Sequence, residues 1–291
     1  MNQSSGNGDQ EASGPRGQET ALKSNQPVIL ETQALTRHFG KMTAVDAIDL
    51  SVHAGEAFGL LGPNGAGKST VIKMLTTLLP PSAGQAQIAG FDVVRQSSRV
   101  QRVIGYVPQA LSADGTLTGY ENLLIFAKLY DLPRRGREAK IRDALAFMGL
   151  TEAANQLVRT YSGGMIRRLE IAQSVLHHPQ LLFLDEPTVG LDPRARSSVW
   201  QLVRQLQQDY GTTVFLTTHF MEEADSLCDR VAIMHRGSVV VTGSPTELKA
   251  SLDKPDATLD DVFIHYTGDQ LTSGGTYRDT SKLRRTAQRL G

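Results

Sequence analysis

The stretch EAFGLLGPNGAGKSTVIKMLTTLL, residues 56–79, changes texture twice. Ala57, Phe58, Leu60 and Leu61 make a short apolar run of the kind that suits a buried strand. A glycine-punctuated loop follows, and from Lys68 the spacing turns helical. Within it, residues 62–70 fit G-x-x-x-x-G-K-[ST] in the strand–loop–helix setting that this pattern requires. Gly62, Pro63, Asn64, Gly65, Ala66 and Gly67 form a loop whose backbone N–H groups can curl around phosphate oxygens. Lys68 adds a point charge for the β/γ-phosphates, and the Ser69 hydroxyl, with Thr70 beside it, is placed for Mg²⁺. The pattern predicts a nucleotide phosphate site on an α/β sheet.

The flanks extend that reading. RVIGYVPQ and QLLFLDEP are short apolar runs closed by proline, and TTVFLTTH and RVAIMHRG share their style, as expected of fully buried parallel strands. AIDLSV sets Ile48, Leu50 and Val52 against Asp49 and Ser51, a half-buried strand. From Gln109 to Ser162 the apolar residues recur at helical spacing in YENLLIFAKLYDL and GREAKIRDALAFMGL, which predicts a helical insertion at about 110–165. Near the end, Thr258 and Asp261 stand in capping-box spacing before Leu259, Val262 and Phe263, a terminal helix docked on the core.

Four polar residues should arrive at the carboxyl edge of the sheet, where open α/β sheets bind ligands. LLFLDEPT delivers Asp185 and Glu186, which strand alternation points in opposite directions. Mg²⁺ would give Asp185 a partner, since an unpaired buried charge is expensive, and Glu186 is then free to polarise a water. His219 ends TTVFLTTH as a donor aimed at the γ-phosphate, and Gln109 ends IGYVP.

TYSGGMIRRLEIA, residues 160–172, offers a second anion site. Ser162, Gly163 and Gly164 open a helix read as amphipathic, with Ile166, Leu169, Ile171 and Ala172 apolar and Arg167, Arg168 and Glu170 polar.

Bulk properties narrow the class. Thirty Lys+Arg balance thirty Asp+Glu in 291 residues, so charge predicts no nucleic-acid partner. The single Cys228 precludes an intramolecular disulfide and fits a reducing compartment. No apolar run is long enough to span a bilayer, so a membrane role would need another chain. Residues 1–26 have the composition of a disordered tail, and the last segment carries Arg278, Lys282, Arg284, Arg285 and Arg289.

GPNGAGKST, PQ, YSGGM, LLFLDEPT, GLDP and TTH, in this order, resemble the nucleotide-binding subunit of ABC (ATP-binding cassette) transporters over about residues 28–248. The resemblance implies a P-loop NTPase fold with a small antiparallel β subdomain and an inserted helical subdomain. It makes ATP and Mg²⁺ the cofactors, with Ser69, Gln109 and Asp185 on the metal. It implies that Phe39 stacks on adenine, with Val45 also at the nucleotide, and that Gln109 bridges Mg²⁺ and the membrane partner. Glu186 becomes the general base, His219 a γ-phosphate contact, and Asp192 a dimer-interface residue.

Two such subunits pack head to tail, so the Ser162 turn of one chain would close over ATP on the partner's loop, bringing Tyr161 near the partner's Ala66. Tyr161 and Met165 depart from the commoner Leu-Ser-Gly-Gly-Gln signature, and Phe39 stands where tyrosine is usual. YSGGMIRRLEIA with TLDDVFIHYTG is similar to the daunorubicin-resistance-type branch, which powers exporters of drugs, lipids or polysaccharides. The implied protein is an ATPase at the cytoplasmic face of a membrane, as a homodimer or paired with a paralogous ATPase on separate permease subunits. A soluble ABC-type ATPase of translation or DNA maintenance is the alternative. The expected division is a tail at 1–26, an ATP-binding domain at 27–248, and a helix with a basic tail at 249–291.

Overall fold

The computed structural model describes residues 26–269. The N-terminal tail and the basic positions Arg278 to Arg289 therefore lie outside the described residues, apart from residue 26. Strands β1 (Val28–Phe39), β2 (Met42–His53) and β3 (Ala57–Leu61) come first, then helix α1 (Lys68–Leu75), strands β4 (Ala83–Ile88) and β5 (Phe91–Asp92), helix α2 (Ser97–Val103) and strand β6 (Ile104–Val107). Helices α3 (Gly119–Leu129), α4 (Arg134–Phe147) and α5 (Gly163–Val175) follow before the next strand, β7 (Leu181–Asp185). The remainder runs α6 (Pro193–Tyr210), β8 (Thr213–Thr218), α7 (Met221–Leu227), β9 (Arg230–His235), β10 (Ser238–Gly243), α8 (Pro245–Ala250) and α9 (Leu259–Thr267).

The strands form two sheets. An antiparallel sheet has the order β2-β1-β4-β5, and a six-stranded sheet has the order β10-β9-β3-β8-β7-β6. In the larger sheet β9, β3, β8, β7 and β6 are parallel and β10 is an antiparallel edge.

Alternation along the parallel strands divides the core. Ala57 and Leu61, Leu182 and Leu184, Val214 and Leu216, and Val231 and Ile233 pack with the helices of one face. Phe58 and Leu60, Leu181 and Phe183, Phe215, and Ala232 and Met234 pack with α1 and the antiparallel sheet on the other. Burial on both faces is why these strands read as unbroken apolar runs. Phe215 sits between Phe58 and Phe183, with ring centroids 5.6 and 5.4 Å away.

Local chemistry sets the helix ends. α1 stops at Leu75, short of the apolar pattern to Leu79, because the next turn holds Thr77 at a left-handed φ of 65°. Capping boxes start α3 (Thr118 with Glu121), α8 (Ser244 with Glu247) and α9 (Thr258 with Asp261). α4 is broken by non-helical Arg135 and by Gly136 at φ 83°. Between β6 and β7 an isolated bridge joins Thr118 to Leu157. Leu259, Val262 and Phe263 of α9 are buried against the helical face.

Helix α5 differs from its expected amphipathic form. Arg167 and Glu170 are each 2 % exposed, and Ile166 is only partly buried. The helix is packed on most sides, and its polar residues are turned inward to serve a neighbouring loop.

Candidate functional site

The loop between β3 and α1 owes its path to glycine. Gly62, Gly65 and Gly67 adopt φ of 157°, 82° and 108°. A Cβ on Gly62 would stand 2.2 Å from the Met234 carbonyl oxygen, and one on Gly67 would stand 2.5 Å from that of Ala44. The first backbone N–H groups of α1 have no side-chain cap, since Gly67 occupies the N-cap position. Free amides and the positive helix end favour an anion there.

Lys68 is 4 % exposed, and its ammonium donates to the carbonyls of Gly62 (2.8 Å) and Pro63 (3.2 Å). It also lies 3.2 Å from Glu186 Oε1. The other carboxylate oxygen of Glu186 accepts from Gln109 Nε2 at 3.3 Å and lies 3.2 Å from His219 Nδ1. Residues from α1, the β6 end, the β7 end and the β8 end thus converge on one carboxylate. Burial by itself would raise the Glu186 pKa, but His219 and Lys68 outweigh it and hold the carboxyl below its ordinary value.

The two acids reach the site by a route that strand alternation does not describe. Asp185 ends β7, but Glu186 has φ 48°, a left-handed conformation that costs a non-glycine residue about 1–2 kcal/mol. Its N–H is held by the carbonyl and the hydroxyl of Thr217, each at 3.1 Å. The turn swings Glu186 onto Lys68 while Asp185 stays on Ser69, whose hydroxyl donates to Asp185 Oδ1 at 3.2 Å.

Thr217 donates to that same oxygen at 2.7 Å. Its place in TTH was visible in the sequence, but not that its hydroxyl would serve both acids. On α7, Glu223 is fully buried and accepts from Thr188 Oγ1 (2.8 Å) and Trp200 Nε1 (3.0 Å); burial raises its pKa against those bonds. Nothing in the sequence motifs marked it.

The Ser69 hydroxyl and the Asp185 carboxylate are hard oxygen donors that suit Mg²⁺, which is typically held by one or two carboxylates plus phosphate. Gln109, the third expected ligand, has its amide on Glu186. Among the described residues no cluster of three His, Cys, Asp or Glu offers an all-protein metal cage.

The two residues expected at the base differ in exposure. Val45 is 0 % exposed and packs beneath the loop, its Cγ2 3.4 Å from where a Gly67 Cβ would be. It shapes the loop from below and presents no face to a base. Phe39 is 42 % exposed, with the Arg37 guanidinium 4.8 Å over its ring centre.

The Ser162 turn lies elsewhere on the chain. Ser162 is exposed and caps α5, its hydroxyl accepting from Met165 N at 3.3 Å. Gly164 packs so closely on α6 that a Cβ would come within 2.9 Å of Ala195 Cβ. Among the described residues no hydrogen bond or ion pair joins residues 162–164 to residues 62–70. Tyr161 is 7 % exposed, and its hydroxyl donates to the Ala153 carbonyl at 2.6 Å. It supports the turn from within, and Ala66, expected near it across the dimer, is buried as well. Asp192 is exposed and caps α6 through Ala195 N at 2.9 Å.

Known proteins resemble this chain in sequence and in fold. Residues 45–189 match the family described as ABC transporter. The daunorubicin/doxorubicin resistance ATP-binding protein DrrA of Streptomyces peucetius is 50% identical over 226 residues, 77% of this chain and 67% of its own length. The linearmycin resistance ATP-binding protein LnrL of Bacillus subtilis (strain 168) is 40% identical over 224 residues, 77% of this chain and 72% of its own. A solved ATP-binding subunit of an ABC transporter superimposes with a TM-score of 0.73 at 27% identity, covering 82% of this chain and 99% of that one. With its P-loop fold and this span of likeness, the chain belongs to the ATP-binding subunits of ABC transporters, a family of ATPases.

Proposed function

We propose that the protein energises an exporter of drug-like or lipid-like molecules by ATP-driven head-to-tail dimerisation on separate membrane-spanning subunits. The observation that carries this reading is the convergence of Lys68, Gln109 and His219 on the Glu186 carboxylate, while the Ser162 turn stands apart. Its likeness to two antibiotic-resistance ATP-binding proteins supports export. No helix among the described residues is long and apolar enough to cross a membrane, so the site of action at the cytoplasmic face requires a partner. In this division residues 27–248 are the ATP-binding domain, with its helical insertion at about 110–165, and residues from 249 onward are an appendage.

Within the site, the loop of residues 62–67 and Thr70 wraps the phosphates and Lys68 neutralises them. Ser69, Asp185 and Gln109 would hold Mg²⁺, which would supply neutralisation of the phosphate charge. Glu186 takes the proton of the attacking water as general base. His219 donates toward the γ-phosphate. A nucleotide bound on one loop has oxygens left for the amides and hydroxyl of the partner's Ser162, Gly163 and Gly164, and Asp192 lies at that interface.

Cross-linking tests the head-to-tail arrangement. Asn64 and Thr160 are exposed and can carry the probe, whereas Ala66 and Tyr161 are buried. Cys228 can stay, because burial pushes its thiol well up and keeps it inert. With Asn64→Cys and Thr160→Cys in a Glu186→Gln chain, ATP and mild oxidation should yield a covalent dimer, since a disulfide requires Cα atoms within roughly 7 Å. An internal disulfide in a monomer would place both anion sites in one pocket and end this reading. Co-purification with a polytopic membrane protein tests the transport half.

Base selectivity should be weak. Stacking on the exposed Phe39 reads a π-face and carries no hydrogen-bond code, so GTP should displace a fluorescent ATP analogue within about tenfold of ATP. A thousandfold preference would point to a base-edge contact.

A further inference from the structure

The loop after β6 carries Gln109, and it has no sheet or helix to satisfy its backbone between residues 108 and 113. Two side chains of α5 do so instead. The Arg167 guanidinium donates to the Pro108 carbonyl at 2.7 Å and to the Gln109 carbonyl at 2.9 Å. Glu170 Oε1 accepts from the Ser112 backbone N–H, from the Ser112 hydroxyl at 3.2 Å and from the Ala113 N–H at 3.3 Å. The two side chains pair with each other at 3.0 Å. Both are almost fully enclosed, and Arg167 is among the largest fully buried side chains of the protein, yet Gln109, Leu111 and Ser112 are exposed.

A buried ion pair is weak evidence for stability, because well-packed apolar residues of similar volume often serve as well or better. What this pair supplies that apolar residues cannot is a fixed register between α5 and the loop. A guanidinium is a rigid planar fork, and here its two arms take consecutive carbonyls. One end of α5 is the Ser162 turn, about 7–8 Å along the axis from Arg167 at 1.5 Å per residue. The held loop carries the amide that bonds Glu186.

We propose that Arg167 and Glu170 are positioning residues that couple the two nucleotide sites of the dimer. They lock the loop of residues 108–113 to α5, so that a shift of the Ser162 turn as it seats on the partner's nucleotide is passed to Gln109 and its bond to Glu186 in this chain's own site. The proposal rests on the head-to-tail reading and on Gln109 and Glu186 acting in hydrolysis.

The test is a double-mutant cycle on the full chain. Arg167→Lys keeps the charge opposite Glu170 and loses the fork. It should lower kcat by about ten- to a hundredfold, the scale of an ångström-sized misplacement, with KM for ATP within about twofold. In a Gln109→Ala background the same change should cost nothing further, because both act through one amide. Losses that multiply would overturn the coupling and leave the site reading standing. A silent Gln109→Ala would overturn the site reading, and this inference with it.

Hydrogen exchange gives a readout apart from activity. In Glu186→Gln chains, ATP should raise protection of the Ser112 and Ala113 amides, and Arg167→Lys or Ser162→Ala should abolish that rise. An unchanged rise in both variants would sink the proposal. Should Arg167→Lys fail to fold, Arg167→Met with Glu170→Met replaces the pair by apolar bulk, and the same outcomes apply to it.

Discussion

Lys68→Ala should lower ATP turnover by about a thousandfold, roughly 4 kcal/mol of transition-state stabilisation. The side chain is nearly fully buried, so its charge acts with little solvent screening, and it ties the Gly62 and Pro63 carbonyls to the site. Its loss removes the positive partner of the phosphates and also frees Glu186 Oε1 from its 3.2 Å contact. Nucleotide affinity should fall together with kcat. Phosphate release in steady state and titration with a fluorescent nucleotide measure the two effects, and undiminished turnover would remove the loop from the mechanism.

Glu186→Gln should separate those two quantities. The amide is isosteric and can still meet Gln109, but it cannot take a proton, so turnover should drop by about a thousandfold within the range of general-base catalysis. ATP affinity should persist, and the variant should elute as an ATP-dependent dimer on size exclusion. Wild-type turnover in this variant would reassign the base.

The pH dependence has a defined sign. The folded pKa of Glu186 is depressed, so the stability it contributes is fully present above the usual glutamate value of about 4.3. That contribution is lost as pH falls through the lower folded value. Urea midpoints should therefore show a steeper acid decline in the wild type than in Glu186→Gln, and parallel declines would contradict the pairing of Glu186 with Lys68 and His219. At neutral pH the carboxylate stays ionised, as a base must.

Much of this protein is written in local pattern. Glycine spacing and the lysine that follows specify the phosphate loop, because only residues without a Cβ pass Met234 and Ala44 at those distances. Unbroken apolar runs specify parallel strands, because both faces of that sheet are covered. Ser162 and Thr258 announce helix starts, because capping is a contact across three residues. These signals depend on neighbours in sequence, so they survive without a fold.

Tertiary structure decided what joins distant segments. Arg167 and Glu170 read as the polar side of an amphipathic helix and are instead buried, since their partners at residues 108–113 lie over fifty positions away. Val45 and Tyr161 read as contacts for a ligand or a partner, and packing turned them inward to support the loop and the Ser162 turn. Glu186 met Lys68 because a left-handed residue ended the strand, held there by Thr217 from another strand. A burial or a turn of this kind depends on which elements come to lie side by side, and no local periodicity encodes that.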